Sequence, residues 1–336
     1  MTSFGIRFID HLAPASTILD WVEFADDKGF EYVWFPHDTF CKSTWAMTCA
    51  AAQRTRRMKI GSIGTNPYTF DPCEIATYAA TLDELSEGRA VLGLGLHTSD
   101  MLAWVGIEAT DVIGATSEAV ELIRGLLRGE VMEYRGKQFQ WTDQAYLRFK
   151  PFRERIPIYG CAFGADYLAM TGEVCEGSLP MITPPESAPR MVAHIQRGIE
   201  RAGRRPQEVD IAGCAWLSLS DDGATADAVM RKMVSYFGAY LEEEALRTVG
   251  LSVSSFDEIK SLIDSGRYHD AAEAVTPEML RLGISGTPHQ VIERIEELEE
   301  AGITQVCLGG PLGPDPRKAI ELLGAKVLPH FAARTG

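Results

Sequence analysis

Residues 59–96 read KIGSIGTNPYTFDPCEIATYAATLDELSEGRAVLGLGL, and this stretch holds a strand, a helix and a second strand. Met58, Ile60 and Ile63 form an apolar run too short for a helix and interrupted by Gly61 and Gly64. Thr65-Asn66-Pro67 and then Asp71-Pro72 turn the chain. A helix follows, with Pro72 near its first position and Glu74 in its first turn; Ile75, Ala79, Leu82 and Leu85 share one face, and Gly88 closes it. Residues 90–96 are then continuously apolar, the mark of a strand buried on both faces. Strand, crossover helix and strand make a parallel unit. The loops after the two strands carry Thr65, Asn66, His97, Thr98, Ser99 and Asp100, polar residues that an apolar barrel otherwise lacks, so the active site is expected there.

The same alternation continues on both sides. Upstream, strands are predicted at 4–10 and 31–35, with helices from Pro14 and Ser16 to Gly29 and over 44–55. Downstream come a helix at 112–128, a hairpin at 131–141 turning at Arg135-Gly136, a strand at 156–160 and a helix at 165–173. A strand at 177–182, a helix at 186–202 and a strand at 209–219 follow. Residues 221–281 read as a helical excursion without a clear strand. A helix entered at Gly286-Thr287-Pro288, a strand at 305–309 and a helix at 315–331 end the chain. Eight strands alternating with helices predict an α/β (β/α)8 TIM barrel. The rival doubly wound sheet lacks its expected GxGxxG after the first strand. The chain reads as one barrel domain with insertions at about 100–111, 131–155 and 221–285.

The 336 residues are 46% hydrophobic and 24% charged, which suits a globular protein with a large core. A formal net charge of -15 argues against a nucleic-acid partner, while leaving room for a local pocket for one anionic cofactor. No apolar h-region opens the sequence and no apolar run approaches the roughly 20 residues that span a bilayer, so a cytoplasmic protein without a membrane partner is expected. The seven cysteines are scattered, form no CxxC pair and do not cluster with histidines, so no metal site is expected and the thiols read as small buried hydrophobes.

In a barrel, the loops at the C-terminal ends of the strands build the active site. Those ends offer Asp10 and His11, His37 and Asp38, Thr65 and Asn66, and His97 to Asp100. Gly160-Cys161-Ala162-Phe163-Gly164 runs straight into a helix; it reads either as a backbone cradle for phosphate or as a tight turn. His37 beside Asp38 reads as an acid/base pair or as a helix cap. Gly93 and Gly95 are expected to leave room for a flat ligand beside His97. His194, His269, His289 and His330 fall on helices and read as surface residues, and Arg204-Arg205 and Glu242 to Glu244 read as solvated faces.

The segments Gly29-Phe30-Glu31-Tyr32-Val33-Trp34, Thr65-Asn66-Pro67-Tyr68, 80-ATLDELSEGRA-90, Leu92-Gly93-Leu94-Gly95 and 310-GPLGPD-315 carry a resemblance. So do Phe4-Gly5-Ile6, Ile156-Pro157-Ile158-Tyr159 and Gly286-Thr287-Pro288. The sequence resembles the bacterial-luciferase-like superfamily, and within it the deazaflavin-dependent methylenetetrahydromethanopterin reductases. The resemblance covers essentially the whole chain. It implies coenzyme F-420, an 8-hydroxy-5-deazaflavin with a phosphodiester and glutamate tail, or alternatively FMN. It further implies a homodimer, with the helices between Ala46 and Leu85 as a reasonable interface, and a small-molecule substrate.

The family pattern implies a non-prolyl cis peptide at Ile63–Gly64, beneath the cofactor ring. It also implies that His37, Asp38, Thr65, Asn66, His97, Thr98 and Ser99 meet the ring's rim. The phosphate would sit at Gly160 to Gly164, with Gly177 and Ser178 nearby. Of these, His37, Asp38 and His97 are the expected catalytic groups. Three departures stand out. Pro36-His37-Asp38 replaces the reductases' Thr-Asp-His, His97-Thr98 replaces Gly-Asp, and Arg7 aligns with the glutamate that their first strand offers to the substrate. A guanidinium stays charged and cannot relay a proton near neutral pH, so these changes imply a different substrate. Arg7 and Asp10 are the expected substrate contacts, with Arg7 holding an anionic group; its alternative role is a salt bridge inside the barrel. Two other readings remain: an FMN-dependent monooxygenase, and a family member without catalysis whose rim would lack titratable residues.

Overall fold

A computed structural model describes residues 2–9, 12–96, 99–161, 163–241 and 243–334, and residues 99 and 100 by their helix alone. The strands are β1 Ser3–Arg7, β2 Tyr32–Pro36, β3 Lys59–Ile63, β4 Ala90–Leu94, β5 Met132–Arg135 and β6 Gln140–Ala145. They continue with β7 Ile158–Gly160, β8 Gly177–Ser178, β9 Asp210–Leu219, β10 Ile284–Gly286 and β11 Gln305–Leu312. The first half holds helices α1 Ala15–Lys28, α2 Thr44–Arg54, α3 Pro72–Leu85, α4 Ser99–Ala103, α5 Val112–Leu127, α6 Ala165–Val174 and α7 Ala188–Arg201. The second holds α8 Gly223–Phe237, α9 Glu243–Thr248, α10 Asp257–Asp264, α11 Tyr268–Glu273, α12 Pro277–Leu280, α13 Pro288–Glu300, α14 Pro316–Leu322 and α15 Leu328–Ala333.

Eight of these strands close a parallel barrel in the order β1-β2-β3-β4-β7-β8-β9-β11, with β11 returning to β1. The α/β TIM barrel is therefore as the sequence predicts. β5 and β6 form the separate antiparallel hairpin. β10 adds a ninth strand alongside β9, where the sequence predicts only the start of a helix. Its three residues are too few for a periodic signal.

Two apolar layers follow from the strand period of two. One lies between the strands and helices, and includes Ile6, Phe8, Val33, Ile60, Leu82, Leu92 and Leu308. The other fills the barrel lumen with Tyr32, Trp34, Ile63, Val91, Tyr159, Cys161, Leu179, Cys214 and Cys307. Trp34 fits because Gly61 lacks a Cβ, which would stand 2.4 Å from the indole. Its Nε1 donates to Gln305 Oε1 at 2.9 Å. Beneath it, Tyr159 Oη and Gln305 Nε2 donate to Asp210 at 2.8 and 2.7 Å, a polar plug at the N-terminal end of the lumen.

The TLDELSEGRA segment is a clamp. Arg153 makes a two-pronged contact to buried Asp83, and Asp83 Oδ1 also accepts from Ala90 N at 3.2 Å. Arg89 donates to Ala52 O, Thr55 O, Thr55 Oγ1 and Met58 O, closing the C-terminal end of α2 onto the start of β4. Helices α8 to α12 pack with Trp216 around a second core of Met230, Val234, Leu246, Phe256, Ile259 and Leu282. The predicted last helix is split by a π turn at Leu323–Val327. Pro329, in the first turn of α15, has no N–H to continue the regular ladder there. Among the described residues, no helix is long and apolar enough to cross a membrane.

Candidate functional site

At the C-terminal end of β3 the chain bulges and is stitched to β4. Thr65 N donates to Gly93 O at 2.9 Å, and Gly95 N donates to Thr65 O at 3.0 Å. Gly64 has φ +71, a value that its missing side chain permits. The expected cis peptide at Ile63–Gly64 is not there: the cis bond among the described residues is Gly310–Pro311. The left-handed glycine gives β3 its turn with a trans bond.

The expected space beside Gly93 and Gly95 is also corrected. A Cβ on Gly93 would stand 2.3 Å from Ser62 O and 2.8 Å from Cys161 Sγ, and one on Gly95 2.0 Å from Cys161 O. These glycines let the protein's own backbones close together, not a ligand. Thr65 is fully buried and its hydroxyl donates to Ser62 Oγ at 2.8 Å. Asn66 Oδ1 accepts from Tyr68 N, Thr69 N and Thr69 Oγ1 at 3.2, 3.0 and 3.0 Å. Both side chains therefore hold the shape of the bulge.

His37 follows β2, and its N–H donates to Ile63 O at 2.8 Å, joining the ends of β2 and β3. Its half-buried imidazole sits in an aromatic recess, with ring centroids 5.5 Å from Trp45 and 5.3 Å from Phe70. Asp38 beside it is half-buried. Asp10, His97, Thr98 and Ala162 lie outside the described residues, as does the side chain of Ser99, whose backbone opens α4.

Arg7 ends β1 in register with Trp34 and Gly309. In-register neighbours on parallel strands point the same way, and Trp34 points into the lumen. Gly309 makes room for the guanidinium: a Cβ there would stand 2.5 Å from Arg7 Nε. Arg7 is only 5% exposed, and among the described residues its Nε and Nη2 have no hydrogen-bond partner. Among the described residues no carboxylate pairs with it. Burial pushes the neighbouring Cys307 thiol well up, Cys214 adds to that, and the Arg7 charge opposes it.

The α6 N-terminus forms a second element of the site. Gly164 at its N-cap has φ +91 and no side-chain cap, which leaves the first N–H groups of the helix open. Phe163, Gly164 and Ala165 share a cleft with Pro180, Arg190, His194 and Glu244. Arg190 is ion-paired to Glu244. Arg190 and His194 stand one turn apart on α7, a spacing the sequence displays but does not link to α6. His194 is thus corrected from a surface residue to a half-buried one with Nε2 buried. Burial and then the charges of Arg197 and Arg190 hold its imidazole below the usual value.

Gly160, Cys161, Gly177 and Ser178 are packed into the protein's own structure. A Cβ on Gly160 would stand 2.1 Å from Thr171 Cγ2, and one on Gly177 2.2 Å from the Tyr159 ring. Ser178 Oγ accepts from Thr171 Oγ1 at 2.8 Å, and Cys161 is fully buried with its thiol pushed up by burial. Of that set, Phe163 and Gly164 line the cleft.

From residue 3 to residue 305 the sequence matches the family described as luciferase-like monooxygenase. The chain belongs to this family. It is 34% identical over 98% of its length to 99% of the 5,10-methylenetetrahydromethanopterin reductase of Archaeoglobus fulgidus. The corresponding reductase of Methanopyrus kandleri is 33% identical, with 98% of each chain covered. The solved structure of the coenzyme F-420-dependent tetrahydromethanopterin reductase from that organism superposes with a TM-score of 0.92 at 31% identity, covering 98% of this chain and 99% of its own.

Proposed function

We propose that the protein is an oxidoreductase that moves a hydride between the deazaflavin coenzyme F-420 and a small organic substrate at the C-terminal mouth of the barrel. The observation that carries this reading is the whole-chain likeness to F-420-dependent reductases, at 31% identity and a TM-score of 0.92. The chemistry at the start of α6, where Arg190 is ion-paired to Glu244, supports an anionic group on such a cofactor. Uncapped N–H groups at a helix start favour a phosphodiester, and the Arg190 guanidinium lies in the same cleft. Phe163, Gly164, Ala165, Arg190 and His194 would hold that group, and the bulge at Ile63, Gly64 and Thr65 would support the ring.

The cofactor, when bound, supplies the hydride. The protein's part is to orient the substrate, exclude water and move one proton. Hydride addition to a carbonyl or imine carbon places negative charge on its oxygen or nitrogen, which must take up a proton. His37 and Asp38 are the described candidates for that proton, together with His97. Arg7, which stays protonated, is assigned to binding. On the family pattern Arg7 takes the place of a carboxylate that those reductases offer to the substrate, which favours a substrate other than methylenetetrahydromethanopterin. We further propose that the protein acts as a homodimer.

The test is a titration of the purified protein with F-420 and with FMN, followed by tryptophan quenching and cofactor absorbance. Binding of F-420 in the micromolar range or tighter, without FMN binding, is the expected outcome. FMN retention with oxygen-dependent turnover would overturn the hydride-transfer assignment in favour of a monooxygenase.

A further inference from the structure

Among the described residues, the top of the barrel lumen is lined mainly by apolar side chains. Trp34, Ile63, Cys161, Leu179, Cys214 and Cys307 pack there, and Arg7 lies among the residues that face inward at that level. The chain has made space for this side chain, since Gly309 beside it has no Cβ to fill the position. Among the described residues its Nε and Nη2 nevertheless find no hydrogen-bond partner, at 5% residue exposure. A buried cation without a counter-charge destabilises a fold strongly. Methionine or leucine would fill the same volume without that penalty. Arg7 stands at the C-terminal end of β1, the face on which barrels bind their substrates. A guanidinium offers a planar fork of donors that matches the two oxygens of a carboxylate.

We infer that Arg7 is the anchor for a carboxylate on the substrate, so that the protein reduces, or forms by oxidation, a carbonyl or imine compound bearing a carboxylate. The chemical step rests on the hydride-transfer function proposed above; the anion site does not. A planar oxyanion could also come from F-420 itself, and the experiment separates the two sources.

Wild type and the variants Arg7→Met and Arg7→Lys are compared in three measurements. The first is the melting temperature of the apoprotein. The second is the Kd for F-420 by tryptophan quenching. The third is the Kd, by calorimetry, of acetate, pyruvate and 2-oxoglutarate, with pyruvamide as the neutral control, in apoprotein and in protein saturated with F-420. The expected result is that Arg7→Met melts at the wild-type temperature or above it, because an uncompensated buried charge has gone. F-420 affinity should stay within about threefold, while affinity for the best carboxylate falls about a hundredfold. Arg7→Lys should recover part of that binding, and pyruvamide should not distinguish the variants.

Loss of F-420 affinity in Arg7→Met would overturn the inference and assign the guanidinium to the cofactor. A lower melting temperature with unchanged carboxylate binding would overturn it in favour of a structural role. Failure of every carboxylate to bind wild type would overturn it outright. Arg7-dependent carboxylate binding in a protein that does not bind F-420 would uphold the anion site and defeat the proposed function instead.

Discussion

At the residue scale, several positions that look chemical turn out to be geometric. Gly93 is the clearest. Its sequence context, a glycine in a buried strand ahead of polar residues, is what a ligand-facing position would show. Its would-be Cβ instead meets Ser62 O at 2.3 Å, so the glycine lets β4 press against the end of β3. Gly93→Ala is expected to lower stability by about 2 kcal/mol through overpacking, and to weaken F-420 binding by displacing the bulge. Chemical denaturation together with the cofactor titration checks both effects; unchanged stability would show that the strands can part without loss. Arg7 is the opposite case. Sequence alone leaves it between an internal salt bridge and an anion anchor, because a partner carboxylate could come from any strand. Only the assembled lumen shows two of its nitrogens buried without a partner among the described residues.

At the element scale, ion pairs tie the βα units together in ways that local patterns do not announce. Glu176, between α6 and β8, accepts from Arg124 at 2.7 Å, Arg155 at 2.8 Å and Ile158 N at 3.0 Å. Burial by itself would raise its pKa, but these partners outweigh burial and hold the carboxyl below the ordinary range. The folded state therefore favours the carboxylate. Its contribution is fully present above the unfolded value of about 4.3 and is lost as pH falls through the lower folded value. Glu176→Gln is expected to lose about 2 kcal/mol at pH 7, and less as the pH is lowered past 4. Denaturation curves across pH 3 to 7 measure this, and a difference independent of pH would assign the loss to packing.

At the scale of the whole molecule, the barrel leaves the outer face of α3 without a cover. Cys73, Thr77, Thr81, Glu84 and Leu85 are exposed along it, and Tyr146 and Phe149 stand exposed at its side. Glu74 and Glu84 are the charged residues exposed on it, and this face is where the proposed homodimer is expected to join. Light scattering after size exclusion should give twice the chain mass, and Thr77→Arg combined with Leu85→Glu should halve it without abolishing F-420 binding. A monomer at every concentration would remove the dimer from the account.

The barrel itself was legible in the sequence, because alternation of apolar strands with amphipathic helices is a local property that repeats eight times. Strand ends were less legible: β1 stops at Arg7 and not at residue 10, and β11 runs on to Leu312. The backbone pairing that ends a strand depends on its neighbours, and those lie far away in sequence. The site divides the same way. Strand-end polarity pointed to the C-terminal rim, and the glycine-bounded turn pointed to the start of α6. Sequence by itself determined which residues stand at the mouth and the chemical character of each. The tertiary structure decided which of those groups are consumed in holding the barrel, as Thr65 and Asn66 are, and which are left to act. It also brought Arg190 and His194 from α7 to the start of α6. Hydrogen-bond satisfaction and burial are properties of all the neighbours at once, and no short stretch of chain contains them.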